Sequence, residues 1–300
     1  MARAPAFSII LAGGKGTRMG STTCPKVCFP VDGVPAINRA ITVYNECGIS
    51  YHTIVVGALA GSVVQTVGGT FGNVHFAYQA QQLGTAHAAR IGLRALTAAG
   101  VEGDVLLVPG DRLVEPSALQ ALFEAFYSES ADLAFLAGPA GAGSGRIVCD
   151  DDGRPLGIVE VPDIAQRRAY RRIREQLDSG TVPGRDELLA AIGEACPEAA
   201  GWTEAKLQRA FGSLWKHLKR TEDDLSRADL EAWVPADRTA FEFRRGDGAR
   251  VVLSPSEVAA APRGNVSIYL ARLPALQRAL EQLTRDNAQQ EEYLTDIVGV

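Results

Sequence analysis

The sequence predicts an α/β fold in which a mostly parallel sheet is covered by helices on both faces. Over residues 1–140, short apolar runs typical of buried strands alternate with stretches of helical periodicity. Parallel strands need crossover connections, and helices in those connections cover both faces of the sheet. Over residues 162–262 the composition changes to Ala, Arg, Glu and Leu, which indicates a helical insertion.

Apolar runs bounded by turn residues predict the strands of the first part. They lie at Phe7–Leu11, Thr53–Gly57, Val74–Tyr78, Asp104–Val108 and Asp132–Ala137. Between them, apolar residues recur at helical spacing, as over Ile37–Tyr44, where Cys47 and Gly48 end the helix. Further helices are predicted at Leu59–Val67, Thr85–Ala98 and Pro116–Tyr127.

The middle of the chain combines hairpins with helices. The acidic turn Asp150–Gly153 joins predicted strands at Gly145–Cys149 and Leu156–Val161, and Arg244–Arg250 turns a second hairpin. Helices are predicted at Ile164–Leu177, Glu187–Glu194, Thr203–Leu218 and Thr221–Trp233. The last of these begins at a sequence that resembles a capping box, with Asp224 in the place of Glu.

One predicted helix of the insertion carries an apolar stripe, which is typical of core packing more than of a binding surface: Leu207, Phe211, Leu214, Trp215 and Leu218. A strand at Asn265–Leu270 and a helix at Pro274–Leu283 follow the insertion. The predicted organisation is therefore an α/β core over 1–161, a mainly helical insertion over 162–262, and a return to the core over 263–300.

Composition and charge argue against several classes of function. A net charge of −5 disfavours a nucleic-acid surface, which needs a concentrated basic face. No apolar run approaches the roughly 20 residues that cross a bilayer, and no secretory signal is visible. The five cysteines are scattered, which favours free thiols in the cytoplasm. Cys24 and Cys28 lack a second ligand pair at zinc-finger spacing.

Glycines and cations occur together in LAGGKGTRMGSTTCPKV, which directly follows the first predicted strand. At Gly13, Gly14 and Gly16 the bare backbone allows N–H groups to approach phosphate oxygens. Ligands of open α/β sheets bind at this end of the strands. The segment therefore indicates a site for an anionic ligand, and a plain glycine-rich turn is the alternative.

The cations Lys15, Arg18 and Lys26 weigh against the plain turn, because a turn has no need of charges that converge on phosphates. The segment lacks the GxxxxGK[ST] pattern of a P-loop. It also lacks the dinucleotide-binding fingerprint, because Met19 stands at the third glycine position.

These residues resemble the signature of sugar-1-phosphate nucleotidyltransferases, L-A-x-G-x-G-T-R-M followed by P-K. That signature alone is shared with cytidylyl and guanylyl relatives. Other segments resemble the uridylyltransferase domain of the bacterial bifunctional enzyme that makes UDP-N-acetylglucosamine: QAQQLGTAHA (Gln79–Ala88), GRIVCDDDGRPLGIVE (Gly145–Glu160) and NAQQEEYLTDI (Asn287–Ile297). The resemblance implies a Rossmann-like sheet of the nucleotide-diphospho-sugar transferase type, in which residues 162–262 have no counterpart.

The resemblance also implies roles for the matching residues on the nucleotide side. The nucleotide would lie along Leu11, Ala12, Gly13, Gly14, Lys15 and Gly16. Arg18 would contact its phosphates, and Lys26 would neutralise charge on the transferred group. Gln79 would pair with a pyrimidine edge, with Gly84 and Thr85 beside the base.

Further roles concern the metal and the acceptor. Asp111, in VPGD after a predicted strand, would bind a catalytic Mg²⁺, although an N-cap or turn residue fits its place as well. Gly145, Glu160 and Asn265 would hold the sugar through its hydroxyl and acylamino groups. Taken alone, Glu160 is equally typical of a solvated strand end and Asn265 of a turn.

The sequence departs from the family's pattern in places that bear on the site. Family members continue past YLTD into a segment whose Asn completes the metal site, whereas this sequence ends at Val300. Either the chain is truncated, or the ion depends on Asp111, phosphates and water. The family's acetyltransferase β-helix domain is also absent from the sequence. Arg112 follows Asp111 where apolar residues are common, and either alters substrate choice or pairs with Glu115.

The expected activity is the condensation of an NTP with a sugar-1-phosphate, which releases pyrophosphate. The most favoured substrates are UTP and N-acetylglucosamine-1-phosphate. The expected partners are small molecules, without nucleic acid or membrane, and no oligomeric state is predicted. Two alternatives stay open: a transferase that uses another nucleotide or phosphorylated acceptor, and a catalytically weak relative that binds a nucleotide-sugar and regulates through its insertion. The presence of Arg18, Lys26 and Asp111 at the matching positions favours an active enzyme over a binding protein.

Overall fold

A computed structural model of the chain describes residues 4–14, 23–195 and 202–300. The strands are β1 (Phe7–Ala12), β2 (Pro30–Val31), β3 (Val34–Pro35), β4 (Tyr51–Val56), β5 (Val74–Tyr78), β6 (Asp104–Pro109), β7 (Leu133–Pro139), β8 (Arg146–Cys149), β9 (Pro155–Val159), β10 (Phe241–Arg244), β11 (Arg250–Leu253) and β12 (Arg263–Arg272).

The helices account for most of the remaining regular structure. They are α1 (Ala36–Glu46), α2 (Ala60–Gly68), α3 (Thr85–Ala98), α4 (Pro116–Ser128), α5 (Val161–Asp178), α6 (Arg185–Ala195), α7 (Glu204–Arg220), α8 (Arg227–Trp233), α9 (Pro255–Ala259) and α10 (Leu273–Gln282). Short 3₁₀ helices lie at Lys26–Cys28, Ala236–Arg238 and Leu294–Val298. Among the described helices, none combines the length and the apolar character that a membrane span requires.

An eight-stranded sheet organises the core, in the order β5-β4-β1-β6-β12-β8-β9, with β7 beside β12. β1 is parallel to β4 and β6, and β4 is parallel to β5. The predicted α/β fold with a parallel central sheet is therefore confirmed. The later strands join in antiparallel orientation, since a tight turn connects β8 to β9 and β12 runs opposite to β6.

Alternating residues of the central strands bury the two faces of the sheet against different helices. Ile10 of β1 and Ile54 of β4 belong to an apolar cluster that includes residues of α1, α2 and α4. Their neighbours Ile9 and Val55 belong to a second cluster, which includes residues of α3 and α10. The sheet is thus covered on both faces, as the strand–helix alternation predicts.

Helices α5 to α8 pack around an apolar cluster of their own. The predicted stripe contributes to this core, because Phe211, Leu214, Trp215 and Leu218 are buried there and Leu207 is partly buried against them. α7 is interrupted at Gly212, whose φ of 51° and ψ of −123° lie outside the helical region. The β10–β11 hairpin then packs, through Phe241, against β9 and α5.

The predicted start of the last insertion helix is wrong by several residues. α8 begins after Ser226, whose side chain forms a capping box with Asp229, rather than at Thr221. The Thr221 hydroxyl instead donates to Asp223 Oδ2 at 2.6 Å. Asp224 Oδ1 accepts from the backbone N–H of Arg185 at 3.4 Å, so neither residue is available to cap a helix.

Candidate active site at the carboxyl ends of the central strands

Polar and glycine residues gather where the central parallel strands end. Gly13 and Gly14 follow β1, Gln79 follows β5, and Asp111 follows β6. Because the carboxyl ends of parallel strands meet at one edge of the sheet, these residues lie in neighbouring loops. The backbone N–H of Gly110 donates to Leu11 O at 2.9 Å and ties the loop after β6 to β1. The edge predicted to bind the nucleotide is assembled in this way.

The loop after β1 passes very close to the loops after β4 and β5. A Cβ added to Gly13 would lie 2.6 Å from Gln79 Oε1, and one added to Gly57 would lie 2.7 Å from Gly13 O. Among the described residues, no atom lies within 4 Å of a Cβ added to Gly14. Packing against backbone therefore requires Gly57 to lack a side chain, and a side chain at Gly13 would displace the Gln79 amide, whereas Gly14 meets no such neighbour among the described residues.

The side chain of Gln79 is buried and bonded within the protein. Its Nε2 atom lies 3.0 Å from His87 Nδ1 and 3.5 Å from Gly84 O. A neighbouring glutamine, Gln82, donates from Nε2 to Gly13 O at 2.6 Å and fixes the glycine loop from the other side. His87 therefore supports Gln79.

Lys26 and Asp111, far apart in sequence, form an ion pair at this edge. Lys26 begins a 3₁₀ helix, and the adjacent Val27 is buried against Gly110, where an added Cβ would lie 3.1 Å from Val27 Cγ1. The side chain of Lys26 is 53% exposed and that of Asp111 22% exposed, so a ligand can reach both. The predicted residues Lys15, Gly16 and Arg18 lie outside the described residues.

The residues predicted for the sugar also come together, although the insertion separates them in sequence. The backbone N–H of Asn265 donates to Gly145 O at 2.9 Å. A Cβ added to Gly145 would lie 3.2 Å from Glu160 Oε1. Because β12 is antiparallel to β6, Asn265 near its amino end lies at the edge where Asp111 follows β6. The nucleotide and sugar residues therefore share one edge of the sheet.

The Asn265 side chain has a fixed orientation. Its Nδ2 donates to the Tyr269 hydroxyl at 2.8 Å, and its Oδ1 accepts from the backbone N–H of Ser267 at 2.8 Å. Ser267 has a φ of 65°, so the chain bends sharply there. The register of pairing between β12 and β7 shifts at this bend, between Asn265 and Tyr269. The bend and these bonds hold Asn265 beside Gly145.

Half-buried carboxyl groups surround the sugar side. Burial raises the pKa of Glu160, and the nearby hydroxyl of Thr295 partly opposes that change. Burial also raises the pKa of Asp163, whose Oδ1 accepts from the backbone N–H of Ala288. Burial, together with the charges of Asp163 and Glu160, raises the pKa of Asp296 to about 7. The sequence reasoning assigned no role to Asp163 or Asp296.

A segment after α10, residues 287–298, closes the site and is called the strap below. The backbone N–H of Glu292 in the strap donates to Leu83 O at 2.8 Å, and its carbonyl accepts from Ala86 N at 2.9 Å. Thr85 Oγ1 accepts from the backbone N–H of Leu294 at 3.0 Å. Gly84, with a φ of 125°, has no room for a side chain, because an added Cβ would lie 2.6 Å from Glu292 N.

The strap also reaches the sugar side through Thr295 and Asp296, as described above. It therefore touches the loop predicted to bind the base and the carboxyl groups near the predicted sugar site. In the part of the chain that the structure describes, no three His, Cys, Asp or Glu side chains come together as a metal-binding group.

The family model of the MobA-like NTP transferase domain matches residues 8–205. The chain belongs to this family. The matched region contains the glycine loop, Gln79, Lys26 and Asp111, and it extends through Gly145 and Glu160 into the insertion. Asn265 and the strap lie beyond it.

Curated relatives include proteins named "Bifunctional protein GlmU". The one from Lactococcus lactis subsp. lactis (strain IL1403) is 37% identical over 199 residues, which cover 65% of this chain and 41% of that protein. The one from Exiguobacterium sibiricum is 33% identical over 263 residues, which cover 86% of this chain and 54% of that protein. The chain therefore spans about half the length of these relatives, or less.

Solved structures show the same fold at low sequence identity. A UDP-glucose pyrophosphorylase complexed with UDP-glucose aligns with a TM-score of 0.52 at 13% identity, covering 98% of this chain and 85% of that chain. A putative glucose-1-phosphate thymidylyltransferase from Bacillus anthracis aligns with a TM-score of 0.54 at 16% identity, covering 97% and 81%. The Rossmann-like fold implied by the sequence resemblance is confirmed by these likenesses.

Proposed function

We propose that this chain transfers a uridylyl group from UTP to a sugar-1-phosphate, with N-acetylglucosamine-1-phosphate as the preferred acceptor. The observation that carries the proposal is the common edge: the Lys26–Asp111 pair and the glycine loop lie at the same edge as Gly145 and Asn265. Membership of an NTP transferase family supports nucleotidyl transfer. The choice of UTP and of the acceptor is supported by the motif resemblance and by the relatives named GlmU.

The proposed reaction is a substitution at phosphorus. An oxygen of the sugar-1-phosphate attacks the α-phosphorus of UTP, the bond from that phosphorus to the bridging oxygen breaks, and pyrophosphate leaves with the electron pair. Such transfers depend on alignment and charge stabilisation more than on covalent chemistry from the protein. Open backbone at Gly14 and the cation of Lys26 can serve both needs for the phosphates.

A magnesium ion fits the proposed site. Mg²⁺ usually takes one or two carboxylates together with waters and substrate phosphates, and Asp111 supplies one partly exposed carboxylate beside the proposed phosphate site. When bound there, the ion would neutralise charge on the phosphates. Without it, the Lys26 ammonium neutralises Asp111. A ligand that binds both residues must therefore separate this ion pair.

The acceptor side supplies the groups that recognise a sugar. The Glu160 carboxyl can accept hydrogen bonds from sugar hydroxyls, and the amide of Asn265 can contact the acylamino group. Asn265 is buried and Glu160 is half-buried, so an acceptor that covers the Glu160 carboxyl without hydrogen-bonding to it loses binding energy. We also infer a cytoplasmic location, which the free thiols of Cys24, Cys28, Cys47 and Cys149 support.

The test is pyrophosphate release from a panel of NTPs and sugar-1-phosphates, with and without Mg²⁺. We expect turnover with UTP and N-acetylglucosamine-1-phosphate, and none without the ion. Preference for another NTP or acceptor would leave nucleotidyl transfer in place and replace the substrate assignment. If no combination releases pyrophosphate while a nucleotide-sugar still binds, the chain is a binding module and the proposal fails.

A further inference from the structure

Adjacent glutamates of the strap form ion pairs with different parts of the molecule. Glu291 Oε1 lies 2.5 Å from Arg209 Nη1 on α7 of the insertion. Glu292 Oε2 lies 2.8 Å from Arg90 Nη1 on α3, and its Oε1 lies 3.0 Å from Arg285 Nη2. One carboxylate is therefore held by the insertion, and the next is held by the core and by the residues after α10.

The two glutamates differ sharply in burial. The Glu291 side chain is 37% exposed and that of Arg209 is 42% exposed, so water screens their attraction. The Glu292 side chain is only 9% exposed, and each of its oxygens has an arginine partner. A buried carboxylate that loses its partners is costly, so the position of Glu292 is strongly determined.

The main chain of Glu292 is part of the loop predicted to bind the base. Its N–H and C=O bond to Leu83 and Ala86, on either side of Gly84 and Thr85. Gly84 packs so closely on Glu292 that a Cβ would collide with its backbone. Any shift of Glu292 must therefore move Gly84 and Thr85 or break these bonds.

Arg90 connects the carboxylate to the rest of the core. Its Nη1 binds Glu292, and its Nη2 donates to Leu280 O of α10 at 2.8 Å. α3, which carries Arg90, itself begins at Thr85. The end of the loop and the residue that anchors the strap thus belong to one helix.

We propose that Glu292 is a positioning residue for the nucleotide: held by Arg90 and Arg285, it fixes the backbone of residues 83–86 in the conformation that receives the base. Glu291, by contrast, attaches the strap to the insertion and does not set that loop. This inference rests on the proposed function, because it takes Gly84 and Thr85 as part of the nucleotide site.

The test compares Glu292→Gln with its matched neighbour Glu291→Gln, which makes the same chemical change. We expect Glu292→Gln to raise the KM for the NTP about tenfold, with the KM for the acceptor changed less than threefold. Glu291→Gln should leave both constants near wild type. Glu292→Asp, which keeps the charge, should restore part of the affinity for the NTP.

Hydrogen exchange of the backbone amides of Ala86 and Leu294 gives a readout that needs no activity. Both amides should exchange faster in Glu292→Gln than in wild type or in Glu291→Gln. If Glu292→Gln does not fold, Arg285→Ala takes its place, since the Arg285 side chain is 46% exposed and its removal leaves the bond to Arg90. It should produce the same changes to a smaller extent.

The outcomes separate this inference from the proposed function. If the wild type neither binds nor turns over any NTP, the proposed function fails and the positioning of the nucleotide fails with it. If the wild type uses an NTP, but the Glu292 and Arg285 variants lose only thermal stability while the KM for the NTP and the amide exchange match Glu291→Gln, the inference alone is overturned.

Discussion

The nucleotide side and the sugar side of the candidate site have opposite chemical characters. The nucleotide side consists of bare glycine backbone and the Lys26 cation, with Asp111 partly exposed beside it. The sugar side contains half-buried carboxyl groups with raised pKa values, among them Glu160 and Asp296. Phosphates require N–H donors and cations, whereas sugar hydroxyls require acceptors. The contrast shows that one edge of a single sheet can carry both a site suited to the NTP phosphates and a site suited to the sugar acceptor.

The two sides also differ in how the chain builds them. The described residues of the nucleotide side come from loops that directly follow β1, β4, β5 and β6. The sugar side needs β8, β9 and β12, and α5 to α9 lie between β9 and β12 in sequence. The strap contacts both sides, through Leu294 at Thr85 and through Asp296 near Glu160.

The largest effect is expected at the boundary between the two sides. Asp111→Asn removes the charge that would hold Mg²⁺ and should lower kcat by about 10³-fold. The fold should be unchanged, because the side chain is partly exposed and not part of the core. The matched control is Asp132→Asn on the surface, with circular dichroism as a check of the fold. Near-normal activity of the Asp111 variant would remove this residue from the site.

Glu160→Gln tests whether the sugar side acts on the acceptor alone. The KM for the sugar-1-phosphate should rise about tenfold or more, because a charged hydrogen-bond acceptor is lost, while the KM for the NTP should stay constant. Steady-state kinetics with each substrate varied in turn measures both constants. Glu175→Gln on the surface of α5 is the control. An equal rise in both constants would contradict the division between the sides.

Gln79→Ala tests base recognition on the nucleotide side. The preference for UTP over CTP should fall by about tenfold, because a buried amide near the base is lost. The exposed Gln81→Ala is the control, since it lies in the same loop. The ratio of kcat/KM values for the two nucleotides is the measurement. An unchanged ratio would mean that other residues read the base.

The smallest effect concerns the stability of the sugar side. In the folded chain the pKa of Asp296 is about 7, above the roughly 3.9 of an unfolded aspartate. The group therefore contributes stability at low pH that is lost as the pH rises from about 4 to 7. Asp296→Asn removes this loss. The free energy of unfolding of the variant, relative to that of the wild type, should therefore increase by about 1 kcal/mol between pH 5 and pH 8.

Urea unfolding of the wild type and of Asp296→Asn between pH 5 and pH 8 checks the sign of this difference in stability. Glu160 and Asp163 titrate in the same surroundings, so their charges remain in the variant and limit the gain. If the free energy of unfolding of the variant instead falls relative to the wild type as the pH rises, Asp296 is ionised and stabilising. That result would contradict the effect expected from its position among other carboxyl groups.

Sequence reasoning located the central strands and helices because local periodicity determines them. It misplaced the start of α8, because Thr221 and Ser226 each begin a pattern that resembles a capping box and only Ser226 forms one. The importance of Gly57 was missed, since it arises when β4 pairs with β1 and brings Gly57 against Gly13.

The same limit explains why the contacts of Glu292 were not predicted. Its partner Arg90 is 202 residues away in the chain, and no local pattern connects the two. The grouping of Gly145, Glu160 and Asn265 was expected only from the family resemblance, because nothing in their spacing brings them together across the insertion. Local signals predict elements and loops, whereas contacts between distant segments require the fold or a relative.

A crystal structure of the chain with UTP and magnesium tests the central claim most directly. We predict that the triphosphate lies along Gly13 and Gly14 beside Lys26, that the uracil meets Gly84 and Thr85, and that the ion contacts the Asp111 carboxylate. A triphosphate bound elsewhere, or an ion distant from Asp111, would contradict the account.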